Sequence, residues 1–513
     1  MANPSLQIGN EKWAIKEDNL LGYSTAGTRF VPQPITMTRA SAGTRVNSSG
    51  LVETVELLGS EEVTNGDFAT DSDWAKAPSG VTISGGSANF NSSSDTYVYQ
   101  DILTATKTYK IIFSGTINSG SLYIGENGVA TNIYTAGTYT NEVAYFTVAS
   151  SVRFIIRKNG AGTLDATIDN ISVKESTKNN LARVDYDGTA SSLLVEPQRT
   201  NELTQSNQFD TTWVQSGTLT SGQDGVGGST DAWKFENPNA TSSLYQADTT
   251  SGVQTLSAYF KKNSNYGVRF FAFGSVNCSA YFDLNNGAVV LAFNSTAKIE
   301  TVGDDWFRCS MTFDQTTSRC DFYVTNNAST QVLGDYTIQY AQLEEGSYPT
   351  SYIPTSGSTV TRVQDQYSKT GISNLINSEE GVLFLEASTF ENGADCRITL
   401  SDGTITNRVS IEWDILANTI KGFVGSDGNL VSSATYNQTN SNKIALKYKE
   451  NDCALWINGT EVDTDFSVSA LSGVNQLEFS NYGGTVPFEG KVKQLQVYKT
   501  ALTDPELVTL TTI

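Results

Sequence analysis

Apolar and polar residues alternate along most of this chain in short runs. In TYKIIFSGTI (108–117) and VRFIIRKNG (152–160) the apolar side chains recur every second residue, the period of a half-buried β-strand. Runs of the same kind follow in VQTLSAYFKK, YGVRFFAFG, CSAYFDLNNGAVV, WFRCSMTF and CDFYVTN. They return near the C-terminus in GVLFLEASTF, RVSIEWDI, KIALKYKE and KVKQLQVYKT. Gly, Asn, Asp and Ser separate them, and DLNNGAVV carries an Asn-Asn-Gly turn suited to a hairpin. No long stretch has a 3.6-residue period. The exception is short: ALTDPELVTL predicts a terminal helix, with Thr503 as N-cap, Pro505 in the first turn and Glu506 closing a capping box. Residues 1–58 lack the strand rhythm, and Pro32 and Pro34 interrupt any regular element there. The pattern predicts an all-β protein of tandem antiparallel β-sandwich (jelly-roll) domains behind an extended N-terminal attachment segment. The divisions fall at 1–58, 59–176, 177–366 and 367–513.

Composition narrows the function classes. The 513 residues carry 33 basic and 54 acidic side chains, a net charge of −21. That balance argues against a nucleic-acid partner, which needs clustered Lys and Arg, and against anionic membrane surfaces. No apolar run is long enough to insert into a bilayer, and MANPSLQIGNEKWAIKED has no signal-peptide pattern. Histidine is absent, which excludes Ser-His-Asp and Cys-His catalysis and ordinary zinc enzymes. The five cysteines, Cys278, Cys309, Cys320, Cys396 and Cys453, show no metal-ligand spacing. Cys309 and Cys320 flank CSMTFDQTTSRC. Read as a hairpin turning near residue 314, this segment sets them opposite each other on an apolar face. Buried free thiols are the first reading and a disulfide the alternative.

Three resemblances follow from longer motifs. EEVTNGDFATDSDW (61–74) and ATIDNISVKE (166–175) open and close a unit that resembles galactose-binding-like carbohydrate-binding modules. Next, TRASAGTRVNSSGLVE (38–53), ARVDYDG (182–188), LLVEPQRTN (193–201) and AQLEEGSYPTSYIPTSGSTVTR (341–362) together resemble tailed-bacteriophage virion proteins, of the tail-fibre, tailspike or appendage kind. In that family the GLVE and ARVDYD segments run together, so residues 59–176 read as an inserted module. Finally, KIALKYKENDCALWINGTEV with FEGKVKQLQVYKTALTDPELVTL resembles laminin-G-like or concanavalin A-like jelly rolls.

The resemblances imply a non-enzymatic virion protein, assembled in the host cytoplasm. It would join other virion proteins through its N-terminal segment and present sandwiches to a host-surface glycan, as a homotrimer. The alternatives are a structural or decoration protein without a glycan ligand, and a secreted bacterial glycan-active enzyme. Similar modules stack sugars on aromatic rings, which makes Trp74, Tyr97 and Tyr99 the candidate platform. They also hold a structural calcium through oxygens at the two ends of the module. Here that implies Asp67, near Asp71 and Asp73, and Asp169.

SIEWDILAN (410–418) resembles the catalytic strand of laminarinase-type hydrolases, with Glu412 and Asp414 about 7 Å apart along one side. In those enzymes a third carboxylate follows three residues after the second, and here that position is Ala417. The expectation is a hydrolase-shaped scaffold without hydrolysis. Ile411 and Trp413 would point into the core and Glu412 and Asp414 into water. Glu386 is the remaining acid that could reach that face from a neighbouring strand.

Overall fold

A computed structural model describes residues 2–10, 13, 15–16, 19–26, 29–263, 266–303, 305–432 and 435–513. The protein is all-β, built from tandem antiparallel sandwiches. Among the described residues the one α-helix is Asp504–Thr511, and no helix is long and apolar enough to cross a membrane. That helix carries the Thr503/Glu506 capping box, with Pro505 in its first turn. The chain divides into two compact units, Glu56–Lys178 and Met1–Val55 with Asn179–Ile513.

In the unit 56–178 the long strands Thr108–Glu126 and Leu164–Thr177 pair antiparallel, and Ile133–Thr147 adds to the first. Tyr109, Ile111 and Phe113 turn inward, joining Phe68, Trp74, Phe90 and Phe154 in one core. The unit begins and ends side by side, with Leu57 paired to Thr177 and Leu58 to Ser176. Neighbouring ends of this kind let a module sit within another chain.

The other unit holds two sandwiches. Its first is made of two six-stranded sheets around Phe235, Phe260, Phe270, Phe322 and Tyr336. Here the hairpin expected at residue 314 does not form. Trp306–Asp314 pairs with Val253–Lys262 and Thr296–Gly303 in one sheet, and Thr317–Thr325 pairs with Ser243–Ala247 and Gly267–Gly274 in the other. The chain crosses between sheets at Gln315, whose buried amide donates to Ala272 O at 3.0 Å and so pins the crossing. Cys309 and Cys320 therefore enter the same core from opposite sheets, and all five cysteines are buried free thiols.

The second sandwich of this unit packs Glu380–Thr389, Asn442–Lys449 and Gly490–Tyr498 against Cys396–Ser401, Arg408–Trp413 and Ile420–Val424. Strands of the N-terminal segment, read from the sequence as an extended attachment segment that packs on something else, add to this sandwich. Leu6 pairs with Val497 and Met37 with Tyr367. Leu6, Ile8, Leu20, Ile35 and Met37 complete the core. Trp13 packs against that core and donates to Ser191 Oγ at 3.0 Å. The side chains of Leu21, Tyr23 and Phe30 lie outside the described residues. Pro32 and Pro34 sit in the strand Arg29–Thr38, which over this stretch pairs on one side only, with Asn19–Ala26. An edge position tolerates a missing N–H.

Candidate functional site

Alternation along Gly267–Gly274 places Val268, Phe270 and Ala272 in the core and turns Arg269, Phe271 and Phe273 to the outer face of the sheet. The register then assembles a grid. One row runs Ser243, Tyr323, Arg269, Tyr281, Leu291 across five strands. The next runs Tyr245, Asp321, Phe271, Ser279, Phe293. A third sets Arg319 beside Phe273. With strands 4.7–4.9 Å apart, a row spans about 19 Å. Phe271 and Tyr323 are largely covered by their neighbours, whereas Leu291 and Phe293 stand exposed at the sheet edge.

Two arginines lie over these rings. The Arg319 guanidinium sits 4.1 Å from the Phe273 centroid and 4.4 Å from that of Tyr245, and its Nε meets Asp321 Oδ2 at 3.0 Å. Asp321 Oδ1 also accepts from Ser243 Oγ at 3.0 Å and from the Tyr323 hydroxyl at 3.3 Å. Burial raises the Asp321 pKa above its ordinary value, and the attraction of Arg319 only partly offsets this. Arg269 lies 4.2 Å from Phe271, 5.2 Å from Tyr281 and 5.5 Å from Tyr323. Its buried Nε has no hydrogen-bond partner. The face thus offers flat aromatic surface, hydroxyls and an arginine fork, a combination that takes the apolar face of a pyranose and its hydroxyls.

The residues expected from sequence separate into different environments. Trp74 is 5% exposed, rests on Phe68 and donates its indole N–H to Asn65 O at 3.0 Å, so it is a core residue and presents no ring face. Tyr97 and Tyr99 do stand together on the unit 56–178, with centroids 6.1 Å apart. Arg153 covers Tyr99 at 3.6 Å and Arg157 lies 5.7 Å from Tyr97. Both arginines are already paired, with Asp101 at 2.8 Å and Asp95 at 2.6 Å. Asp67 Oδ1 accepts from Ala69 N at 3.3 Å, Asp169 Oδ1 from Asn170 Nδ2 at 2.8 Å, and Asp71 pairs with Lys76. Among the described residues no three acids converge as a metal-holding group. The calcium implied by the resemblance finds no acidic cluster at Asp67 and Asp169.

Ile411 and Trp413 face the core as expected, but Glu412 does not face water. It is 5% exposed, 3.2 Å from Arg397 Nε and 4.0 Å from Arg408 Nη1. Register explains the burial: Arg397 is the cross-strand partner of Glu412, and Arg408 precedes it by four residues on the same side. Burial raises the Glu412 pKa despite both cations. Asp414 lies past the strand end and pairs with Lys421. Glu386 sits on the other sheet, where it accepts from Gln494 Nε2 at 2.8 Å. It cannot join Glu412, because the core of Leu383, Leu385, Ile411 and Trp413 lies between them.

Sequence reasoning passed over the outer grid. Its signal was the alternation in YGVRFFAFG and SRCDFYV. What alternation lacks is register, which alone brings Tyr281 and Tyr323 to either side of Arg269. The same unit also holds a cavity of about 450 Å³ near Tyr259 and Arg308. Lys491 pairs there with Asp185 at 2.8 Å and Lys298 with Glu300 at 2.7 Å, while Arg308 donates to Ser257 Oγ and Thr350 O.

A scan of protein families finds no match to the chain, and a search of curated proteins finds none. Solved structures give distant likenesses. The Ruminococcus gnavus IT-sialidase CBM40 is 20% identical over 28% of this chain and 87% of that one, with a TM-score of 0.24. The CBM22-1-CBM22-2 tandem domain of Paenibacillus barcinonensis Xyn10C is 9% identical over 57% of this chain and 98% of that one, at 0.19. The Trypanosoma rangeli sialidase is 8% identical over 92% and 98%, at 0.23. The neighbours thus include carbohydrate-binding modules and sialidases, and at these scores none of them carries information about a ligand of this chain.

Proposed function

We propose that this chain is a non-catalytic glycan-binding protein whose platform is the outer face of the sheet containing Gly267–Gly274. The observation that carries the reading is the cross-strand row Tyr323, Arg269, Tyr281, an arginine held between two tyrosines. Aromatic rings take the C–H face of a sugar, and arginine and tyrosine donors take its hydroxyls. The motifs shared with tailed-phage virion proteins support a place on a phage particle, as a fibre, spike or appendage that meets a host-surface glycan. The absence of catalysis is supported by Ala417 and by the engagement of Glu412 with Arg397 and of Asp414 with Lys421. A general acid must be free to protonate the leaving oxygen.

Two assays on the purified chain test this. On a glycan array the protein should bind a restricted set of saccharides. Incubated with those saccharides, it should release no new reducing ends. Binding to none would favour a structural or decoration role. Reducing ends that vanish in Glu412→Gln would identify a glycan-active enzyme.

A further inference from the structure

We propose that the saccharide taken by this platform is anionic, and that Arg269 receives its oxyanion, a carboxylate or a sulfate on the sugar ring. The inference rests on the platform reading above. Its ground is the state of Arg269. Among the described residues it is the arginine whose guanidinium makes neither a hydrogen bond nor an ion pair, in a chain with 54 acidic side chains. Its cross-strand neighbours are Tyr323 and Tyr281, not acids. The acids nearby are committed elsewhere. Asp321 is held by Arg319, Ser243 and Tyr323. Asp283 accepts from Asn285 N at 2.8 Å and from Asn286 Nδ2 at 2.7 Å in the turn that follows its strand.

The grid therefore keeps one guanidinium without an ion-pair partner on a protein whose net charge is −21. Three ring contacts hold the guanidinium in place, so little side-chain freedom remains to be lost when an anion binds. A carboxylate or a sulfate can set two oxygens against the guanidinium fork in parallel N–H···O bonds, which a single neutral hydroxyl cannot do. The overall negative charge repels acidic polymers at long range, so selection for them would have to come from this local contact.

The test titrates the full chain, as wild type, Arg269→Gln and Arg269→Lys, with three kinds of polymer. Polygalacturonate, alginate and polysialic acid carry carboxylates, dextran sulfate carries sulfate, and dextran and galactan are neutral. The wild type should prefer at least one anionic class to the neutral polymers. Losing a charge-assisted pair should lower that preference about tenfold or more in Arg269→Gln. Arg269→Lys, which keeps the charge and loses the fork, should recover only part of it. The two anionic arms identify the oxyanion. Neutral polymers bound as tightly as anionic ones, or a preference unchanged in Arg269→Gln, would overturn the inference and leave the platform standing. Failure of the wild type to bind any saccharide, here and on the array, would overturn the platform and the inference together.

Discussion

Arg39 donates to Asp365 at 2.7 Å across 326 residues of sequence, and both side chains are fully buried. Arg183 bonds the other oxygen of Asp365 and meets Glu196 at 2.6 Å, and Arg362 meets Glu196 at 3.0 Å. Ser351 Oγ joins by donating to Glu196 at 2.7 Å. The network ties the N-terminal segment, the hairpin Arg183–Val195 and the segment that leaves the platform-bearing sandwich. Arg39, Arg183, Glu196 and Arg362 come from TRASAGTRVNSSGLVE, ARVDYDG, LLVEPQRTN and AQLEEGSYPTSYIPTSGSTVTR, so this junction absorbs charged side chains of all four motifs.

Asp365→Asn should therefore be severely destabilising. It removes the charge that Arg39 and Arg183 share and leaves Arg39 without an acidic partner, and breaking a buried pair from one side costs about 3–5 kcal/mol. Denaturant unfolding should show that loss in the unit holding residues 179–513 and leave the transition of 56–178 in place. A loss below about 1 kcal/mol would mean that water reaches this junction.

Glu126 gives the inserted unit an acid-sensitive lock. Its carboxylate accepts backbone N–H bonds from Ala149, Ser150 and Ser151 at 2.7, 2.8 and 2.6 Å. Burial alone would raise its pKa, but the three bonds outweigh burial and the net shift is downward from 4.5. Its contribution is thus full above pH 4.5 and lost as pH falls below that value toward the folded pKa. Glu126→Gln should cost about 1–3 kcal/mol at neutral pH and flatten the acid dependence of this unit's stability, followed by circular dichroism between pH 7 and 3. An unchanged slope would assign the acid response to other groups.

The two ends of the construction should respond differently to deletion. Replacing residues 57–177 by a short Gly/Ser linker removes a self-contained core whose ends are already paired, and the remainder should unfold at its wild-type denaturant midpoint. Deleting residues 1–30 strips Leu6, Ile8 and Leu20, all fully buried, from the C-terminal sandwich. At about 1.5–3 kcal/mol per side chain that loss should lower its midpoint markedly and open it to proteases. A fully stable deletion of 1–30 would show that the N-terminal strands are an ornament on a complete sandwich.

Much of the fold was legible because alternation is a local signal. Tyr109, Ile111, Phe113, Ile411 and Trp413 all point inward as their spacing requires. The helix cap at Thr503 was readable for the same reason. What failed depended on register or on long-range pairing. Glu412 was expected in water because nothing in SIEWDILAN announces Arg397 on the next strand. Cys309 and Cys320 were set in a hairpin because a turn and a crossing between sheets look alike in sequence. Trp74 looked like a ligand contact until Phe68 and Phe154 closed around it. The platform was invisible for the converse reason: its residues come from strands up to 80 positions apart, Ser243 to Tyr323.

The most direct measurement is the affinity of the wild type and of Tyr281→Ala for the tightest saccharide on the array, by isothermal titration calorimetry. Tyr281 is half-buried on the outer face, so its removal spares the core. The platform reading predicts about five- to tenfold weaker binding with an unchanged thermal midpoint. Undiminished affinity in Tyr281→Ala would contradict it and move the binding site elsewhere in the chain.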